Sequence, residues 1–290
     1  KETTDQSVYL KFKLLPDQKI KNLKIGNSAY ILSWTTTPWT LPGNVALAVG
    51  KNIDYIGLKA TSSSAKEIKQ GEIFLLANNP EIFKKVFGES LMFGPRGAVV
   101  NFFDKGEVCI EKLGLWSGKE LVGLEYEPLF EIPSLKNQNS HKVYAADFVT
   151  TTDGTGVVHT AVMYGEDDYK LGVKVGLPQH HTVSDEGRFT GDVPESLRGC
   201  AVRTKEPKES KETEEKIFEH LQSRGNFLRT LPYSHEYPYC WRCDTPIIYY
   251  ARDSWFIAMT KVRAELLSSN KNINWIPDYI MEGRFGEWLR

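Results

Sequence analysis

Two stretches of this chain gather side chains that can do chemistry on a polar ligand. The first, ILSWTTTPWTLPGNVALA over residues 31–48, places Thr35, Thr36 and Thr37 in succession ahead of Pro38, with Thr40 and Asn44 close behind. Hydroxyls both donate and accept, and proline keeps the residue before it extended. The run therefore offers closely spaced groups able to hold a sugar hydroxyl or a water. The second stretch, VYAADFVTTTDGTGVVHTAVMYGEDDY over residues 143–169, supplies Gly154, Thr155, Gly156, His159 and Asp168. Glycine-flanked amides allow close backbone approach, and an imidazole and a carboxylate follow. Each stretch also has an ordinary reading. A strand histidine is commonly a satisfied side chain, acidic residues at a helix start complement the dipole, and a threonine-rich strand can simply end in a turn. The occurrence of both stretches in one chain favours the chemical reading.

The elements that must position these groups can be read from periodicity. Residues 143–149 and 157–162 are β-branched, and the Thr-Asp-Gly-Thr-Gly between them has the glycines a turn needs, which predicts a hairpin with His159 in its second strand. Gly165 then leads into Glu166, Asp167 and Asp168 as the first turn of a helix closed by Gly176. Upstream, residues 8–14, 29–34, 45–49, 53–59 and 72–77 read as strands, residues 62–64 as an exposed loop, and residues 80–87 as a short helix stopped by Gly88. Glycines punctuate residues 91–133, from Phe93-Gly94-Pro95 to Gly123, the texture of short strands bending around a barrel or sandwich. Residues 136–141 read as a polar loop and residues 214–221 as an amphipathic helix. From Tyr233 the sequence turns aromatic and arginine-rich, with a helix expected over 259–267 and a last segment over 280–289.

Composition narrows the function classes. With 41% hydrophobic and 25% charged residues the chain reads as globular, and no apolar run is long enough for a membrane helix. No secretory leader is visible, so a cytoplasmic protein is expected, and Lys1 in place of an initiator methionine suggests a fragment. A net charge of −1 argues against coating a nucleic-acid backbone, though not against gripping a few terminal nucleotides. Cys109 and Cys200 are isolated, and Cys240 with Cys243 forms one CxxC. That is either half of a tetrahedral zinc set, whose other ligands would have to come from a longer parent protein, or simply two thiols.

The sequence Trp34-Thr35-Thr36-Thr37-Pro38-Trp39-Thr40-Leu41-Pro42, with Gly154-Thr155-Gly156-Val157-Val158-His159-Thr160-Ala161 and Gly165-Glu166-Asp167-Asp168-Tyr169, resembles the editing domain of isoleucyl-tRNA synthetases. The valyl and leucyl siblings read Thr-Thr-Arg-Pro where this chain has Thr36-Thr37-Pro38-Trp39, and they lack the His159-Thr160 pair. The resemblance continues through Gly118 to Leu129, Asp185 to Thr190 and Tyr237 to Cys243, and so covers most of the chain. It departs at Val162, where the family commonly has proline.

The resemblance implies an α+β fold, mainly β, with a β-barrel-like editing domain and peripheral helices. Residues 1–231 would form that domain and residues 232–290 a junction leading back to the synthetase core. The implied activity is hydrolysis of the ester in valyl-tRNA for isoleucine, with Asp168, Thr36 and Thr37 at the reaction. Substrate contacts would come from Thr35, Thr36, Thr37, Trp39, Thr40, Asn44, Gly154, Thr155, Gly156, His159 and Asp168. Asp168 would hold the α-ammonium, and His159 would stand against the amino-acid side chain. Editing needs no metal and no cofactor on this reading, ATP being used at the synthetic site outside the chain. The partners are the acceptor end of isoleucine tRNA and the rest of the synthetase, with no membrane. Rival readings are a non-catalytic module that binds the acceptor end, a metal-dependent hydrolase using His159, His180, His181 and Asp168, and a Ser184-His-Asp185 triad built on His180 or His181.

Overall fold

The computed structural model describes residues 1–88, 97–103 and 105–290, and Phe93-Gly94-Pro95 lies outside them. In chain order the strands are β1 (Glu2–Lys13), β2 (Lys19–Ile20), β3 (Leu23–Lys24), β4 (Ala29–Thr35), β5 (Ala46–Val49), β6 (Asp54–Ser63) and β7 (Ile73–Ala77). Helix α1 (Pro80–Phe87) precedes β8 (Ala98–Asn101) and β9 (Glu107–Ser117), and α2 (Gly118–Leu121) precedes β10 (Lys142–Ala145) and β11 (Val157–Thr160). Then follow α3 (Glu166–Val175), α4 (Pro207–Ser223), β12 (Phe227–Glu236), α5 (Met259–Asn270) and α6 (Arg284–Leu289). The chain divides into two compact units, Lys1–Ala251 and Arg252–Arg290.

The first unit is built on a seven-stranded sheet in the order β12-β1-β4-β7-β6-β9-β8, with a three-stranded sheet β10-β5-β11 beside it. The mixed fold with large sheets agrees with the α+β expectation. Barrel-like is a loose description of it, because among the described residues β12 and β8 are free edges and no ladder joins them into a closed barrel. The sheet's interior strands carry the core: Val8, Leu10, Phe12, Ile31, Ile56, Leu58, Leu75 and Leu76 are all essentially without solvent contact. β1 alternates exposed and half-buried over its first residues, where it pairs with the equally half-exposed end of β12 in the register Glu2↔Glu236. Position 231 falls inside β12, and the first unit extends past it to Ala251.

The hairpin expected from residues 143–162 is not formed. β5 lies between its two halves, parallel to β10 and antiparallel to β11, with Leu47 opposite both Val143 and His159. β5 is buried at all four positions, which is what a central strand flanked on both edges requires. The glycine-rich turn still does what its sequence implies: Gly154 and Gly156 have φ of 72° and 74°, in the left-handed region. A Cβ on Gly156 would stand 2.4 Å from Ala77 Cβ, so no larger residue fits there. The expected loop at 62–64 is also revised, since β6 runs through Ser63.

Tyr55 on β6 ties the turn to the main sheet. Its hydroxyl donates to the Gly156 carbonyl at 2.6 Å and accepts from the Gly50 amide at 3.0 Å, with the ring fully buried. Tyr55→Phe leaves a buried carbonyl and a buried N–H unmatched. It is expected to lower the unfolding free energy by about 2 kcal/mol, read as a lower urea midpoint at an unchanged slope.

The second unit is small. Trp275 packs against Phe285 at 5.1 Å between ring centroids, and Trp275 Nε1 donates to Asn270 Oδ1, which fastens the loop after α5. Trp255, Phe256, Ile257 and Ile276 are exposed.

Candidate active site

The two chemically rich stretches meet. β4 ends at Thr35, and Pro38 opens a 3-10 turn over Pro38–Gly43 that folds Thr40 back beneath the threonine run. Thr37 N–H donates to Thr35 Oγ1 at 3.1 Å, the Thr35 and Thr37 hydroxyls are 3.2 Å apart, and Thr40 Oγ1 donates to the Thr37 carbonyl at 2.8 Å. Across from them, Thr155 Oγ1 donates to the Leu32 carbonyl and Ser33 Oγ to the Val157 carbonyl, pinning the turn before β11 against β4. The result is a cavity of about 330 Å³. It is lined by Thr35, Thr36, Thr37, Thr40, Gly154, Thr155, Gly156, His159 and Asp168 together with Trp34, Phe148, Thr150, Asp153, Val157, Val158 and Tyr164.

Of the residues expected at the site, Trp39 and Asn44 lie outside this lining. Trp39 is buried with its ring edge-on to Tyr164 at 5.3 Å. Asn44 Oδ1 accepts from Tyr126 at 2.8 Å, and its Nδ2 donates to the Ala46 carbonyl, so it closes the turn ahead of β5. Both brace the site from behind.

Two ionisable groups are displaced by their surroundings. His159 is 7% exposed, and burial drives its imidazole down to about 4, so the ring is neutral at ordinary pH. Its Nε2 lies 3.0 Å from Thr40 Oγ1, and its Nδ1 has no protein partner. Asp168 stands at the third position of α3, and its Oδ2 accepts from the Ala161 amide at 3.1 Å. Burial, reinforced by the neighbouring Asp167 charge, pushes its carboxyl up to about 6 despite that hydrogen bond. A raised carboxyl facing a cavity is what a site for a cationic group looks like before the cation arrives. The approach is close: a Cβ on Gly165 would lie 2.9 Å from Asp168 Oδ2.

The segment 162–165 forms a 3-10 turn over Val162–Tyr164. Val162 is accommodated because Gly172 on α3 faces it, where a Cβ would stand 2.6 Å from Val162 Cγ2. Tyr164 anchors the turn: its hydroxyl accepts from the Thr182 and Val183 amides at 2.7 and 2.9 Å. Trp34 stood in the first motif and Phe148, Thr150, Asp153 and Tyr164 in the second stretch, yet none was expected in the lining. Trp34, Phe148 and Tyr164 carried the signal of aromatic character, and Trp34 that of adjacency to the threonines, while nothing set Thr150 and Asp153 apart.

The other histidines are engaged elsewhere. His180 Nε2 is 2.9 Å from Asp192, His181 stacks on Tyr250 at 4.0 Å, and Ser184 Oγ accepts from the Glu186 amide. His180 and His181 do not line the cavity that holds His159 and Asp168, and His180 pairs with Asp192 instead of Asp185. Among the described residues, no three His, Cys, Asp or Glu side chains gather as a metal set. No helix among them is long and apolar enough to cross a membrane.

Comparison with known proteins adds sequence and fold relatives. A family model for class I tRNA synthetases (I, L, M and V) matches residues 18–290. The isoleucine–tRNA ligase of Clostridium novyi (strain NT) is 40% identical over 292 residues, covering 100% of this chain and 23% of that protein. The isoleucine–tRNA ligase of Bdellovibrio bacteriovorus is 38% identical over 260 residues, covering 89% of this chain and 21% of that protein. The chain thus spans less than a quarter of the length of these relatives. The editing domain of the P. knowlesi cytosolic leucyl-tRNA synthetase is similar in fold, with a TM-score of 0.51 at 12% identity over 79% of this chain and 97% of that one.

Proposed function

This chain belongs to the class I tRNA synthetases of the I, L, M and V group, and from that membership we propose that it is the proofreading segment of an isoleucine–tRNA ligase, hydrolysing valine from mischarged isoleucine tRNA. The physical need is plain. Isoleucine and valine differ by one methylene, worth only about 1–3 kcal/mol in an apolar pocket, and this amino-acid pair is the standard case of that limit. A second site that admits the smaller product corrects the error.

The observation that carries the reading is the meeting of Thr35–Thr37, Gly154–Gly156, His159 and Asp168 around one cavity. In the proposed complex Asp168 pairs with the substrate ammonium, which fixes the ester carbonyl relative to the threonines. Thr36 Oγ1, which has no hydrogen-bond partner among the described residues, and Thr37 Oγ1 orient the attacking water. His159, neutral and hard to protonate, is a poor general base. The proton lost by the water is relayed through the free ribose hydroxyl of the terminal nucleotide, or through solvent, to the departing ribose oxygen as the ester C–O bond breaks. Editing in this scheme uses the chain's own groups and the substrate, while ATP belongs to the synthetic reaction elsewhere in the parent protein. Residues 232–290 are proposed as the junction to that core, and the whole acts in the cytoplasm.

The test is deacylation of valyl- and isoleucyl-tRNA for isoleucine by this chain and by a synthetase containing it. Valyl-tRNA should be cleaved and isoleucyl-tRNA spared. The isolated chain should be the slower of the two catalysts, since its net charge of −1 gives little hold on a phosphate backbone. Binding of the acceptor end without turnover would show a non-catalytic module instead.

The CxxC is peripheral to this chemistry. Cys243 is exposed, and a hydrogen bond with Thr245 Oγ1 at 3.3 Å helps draw its thiol down to about 7. Serine at both Cys240 and Cys243 is expected to leave deacylation within about twofold. A large loss in a folded double variant would bring the pair into the site.

A further inference from the structure

The hydrogen bonds around Thr40 determine more than the shape of the cavity. Its hydroxyl carries one proton and faces three acceptor-capable atoms, the Thr37 carbonyl at 2.8 Å, His159 Nε2 at 3.0 Å and, at a longer 3.5 Å, Thr37 Oγ1. A carbonyl cannot donate, so a contact of 2.8 Å between two oxygens requires the Thr40 proton to lie between them. Thr40 Oγ1 must then accept from the imidazole. The opposite arrangement would point the Thr40 proton at Nε2 and leave an Nδ1–H buried with no partner. Orphaned buried N–H groups are rarer than orphaned acceptors, so both counts favour the same tautomer.

We infer that Thr40 is a positioning residue that holds His159 as its Nε2–H tautomer and fixes the plane of the ring in the cavity wall, leaving a bare Nδ1 lone pair. The ring then has no proton to give. It can neither donate to the oxyanion of a tetrahedral intermediate nor protonate a leaving ribose oxygen, and its contribution is shape. Selectivity then depends on Thr40 through the ring it holds, besides its own place in the lining.

This inference rests on the proofreading reading for its selectivity consequence and is independent of it for the tautomer. The experiment uses the full chain with ¹⁵N-labelled histidine, whose ring shifts separate a protonated from a bare nitrogen. The wild type should show His159 protonated at Nε2 only, from pH 5 to pH 8. Thr40→Val should lose that bias by roughly fivefold or more, and the ratio of isoleucyl- to valyl-tRNA cleavage should rise by a similar factor. Thr40→Ser should restore both, which also controls for misfolding of the valine variant. An Nδ1–H signal in the wild type overturns the inference. So does a valine variant, folded, with unchanged tautomer and unchanged ratio. If the wild type cleaves neither tRNA, the proofreading reading fails while the tautomer result still decides the lock.

Discussion

His159→Ala is expected to convert a selective hydrolase into one that also destroys isoleucyl-tRNA, while valyl-tRNA is still cleaved. An editing pocket has to exclude the larger, correct product. A ring that is buried, neutral and bonded through Nε2 cannot swing aside to admit one more methylene. Overpacking against a fixed wall costs about 1–3 kcal/mol, so removing the wall should raise isoleucyl-tRNA cleavage roughly 5- to 150-fold. A synthetase carrying the substitution would then consume ATP without accumulating isoleucyl-tRNA. Deacylation of both tRNAs by the purified variant is the measurement. If valyl-tRNA cleavage disappears and isoleucyl-tRNA is spared, the imidazole belongs to the reaction and the aperture is elsewhere.

Asp168 should behave in the opposite way. Asp168→Asn is expected to lose deacylation by about 10²-fold or more, the equivalent of one charge-assisted hydrogen bond of roughly 3 kcal/mol. It should nevertheless remain as stable as the parent or become more so. The folded protein raises this carboxyl from 3.8 to about 6, so folding favours its protonated form. The ionised carboxylate therefore subtracts stability at pH above about 6 and has no such effect below the unfolded value. Asparagine keeps an acceptor for the Ala161 amide and removes the charge. The same shift predicts that wild-type kcat/KM falls as pH drops through about 6, where the free protein loses the carboxylate that meets the ammonium. A melting scan of the variant and a pH profile of the parent check both statements. An active, destabilised Asp168→Asn would place the ammonium elsewhere.

The local elements were largely legible in the sequence. Helix α1 starts at Pro80 under an Asn79 cap and stops at Gly88, as its punctuation indicates. Helix α3 begins with the three acidic residues and closes at Gly176. What was not legible was which strands pair. Residues 143–145 and 157–160 have the composition of hairpin partners, but β-propensity carries no information about the neighbour, and β5 from far upstream takes the place between them. Glycines misled for a similar reason. Gly57 and Gly114 face each other across the long strands β6 and β9 at a register shift, where a Cβ on either would crowd the Trp116 ring, so they make room for one side chain and do not mark the ends of short strands. At the site, motif residues identified the hydroxyls, the imidazole and the carboxylate. Trp39 and Asn44 share the motif but face away from the cavity, and facing is set by the 3-10 turn at Pro38, which residue types alone do not reveal.

The pairing of His159 with Leu47 makes selectivity a matter of parity. Side chains alternate along β11, an edge strand held by β5, so a slip of one residue would take the imidazole off its place in the wall and put Val158 or Thr160 there. Single insertions or deletions in the turn before Val157 should therefore be more damaging to discrimination than most point substitutions there. A pair of inserted residues, which restores the alternation, should be tolerated better than one. Grafting this turn between related proteins to alter substrate choice would succeed only where its length has the same even or odd count.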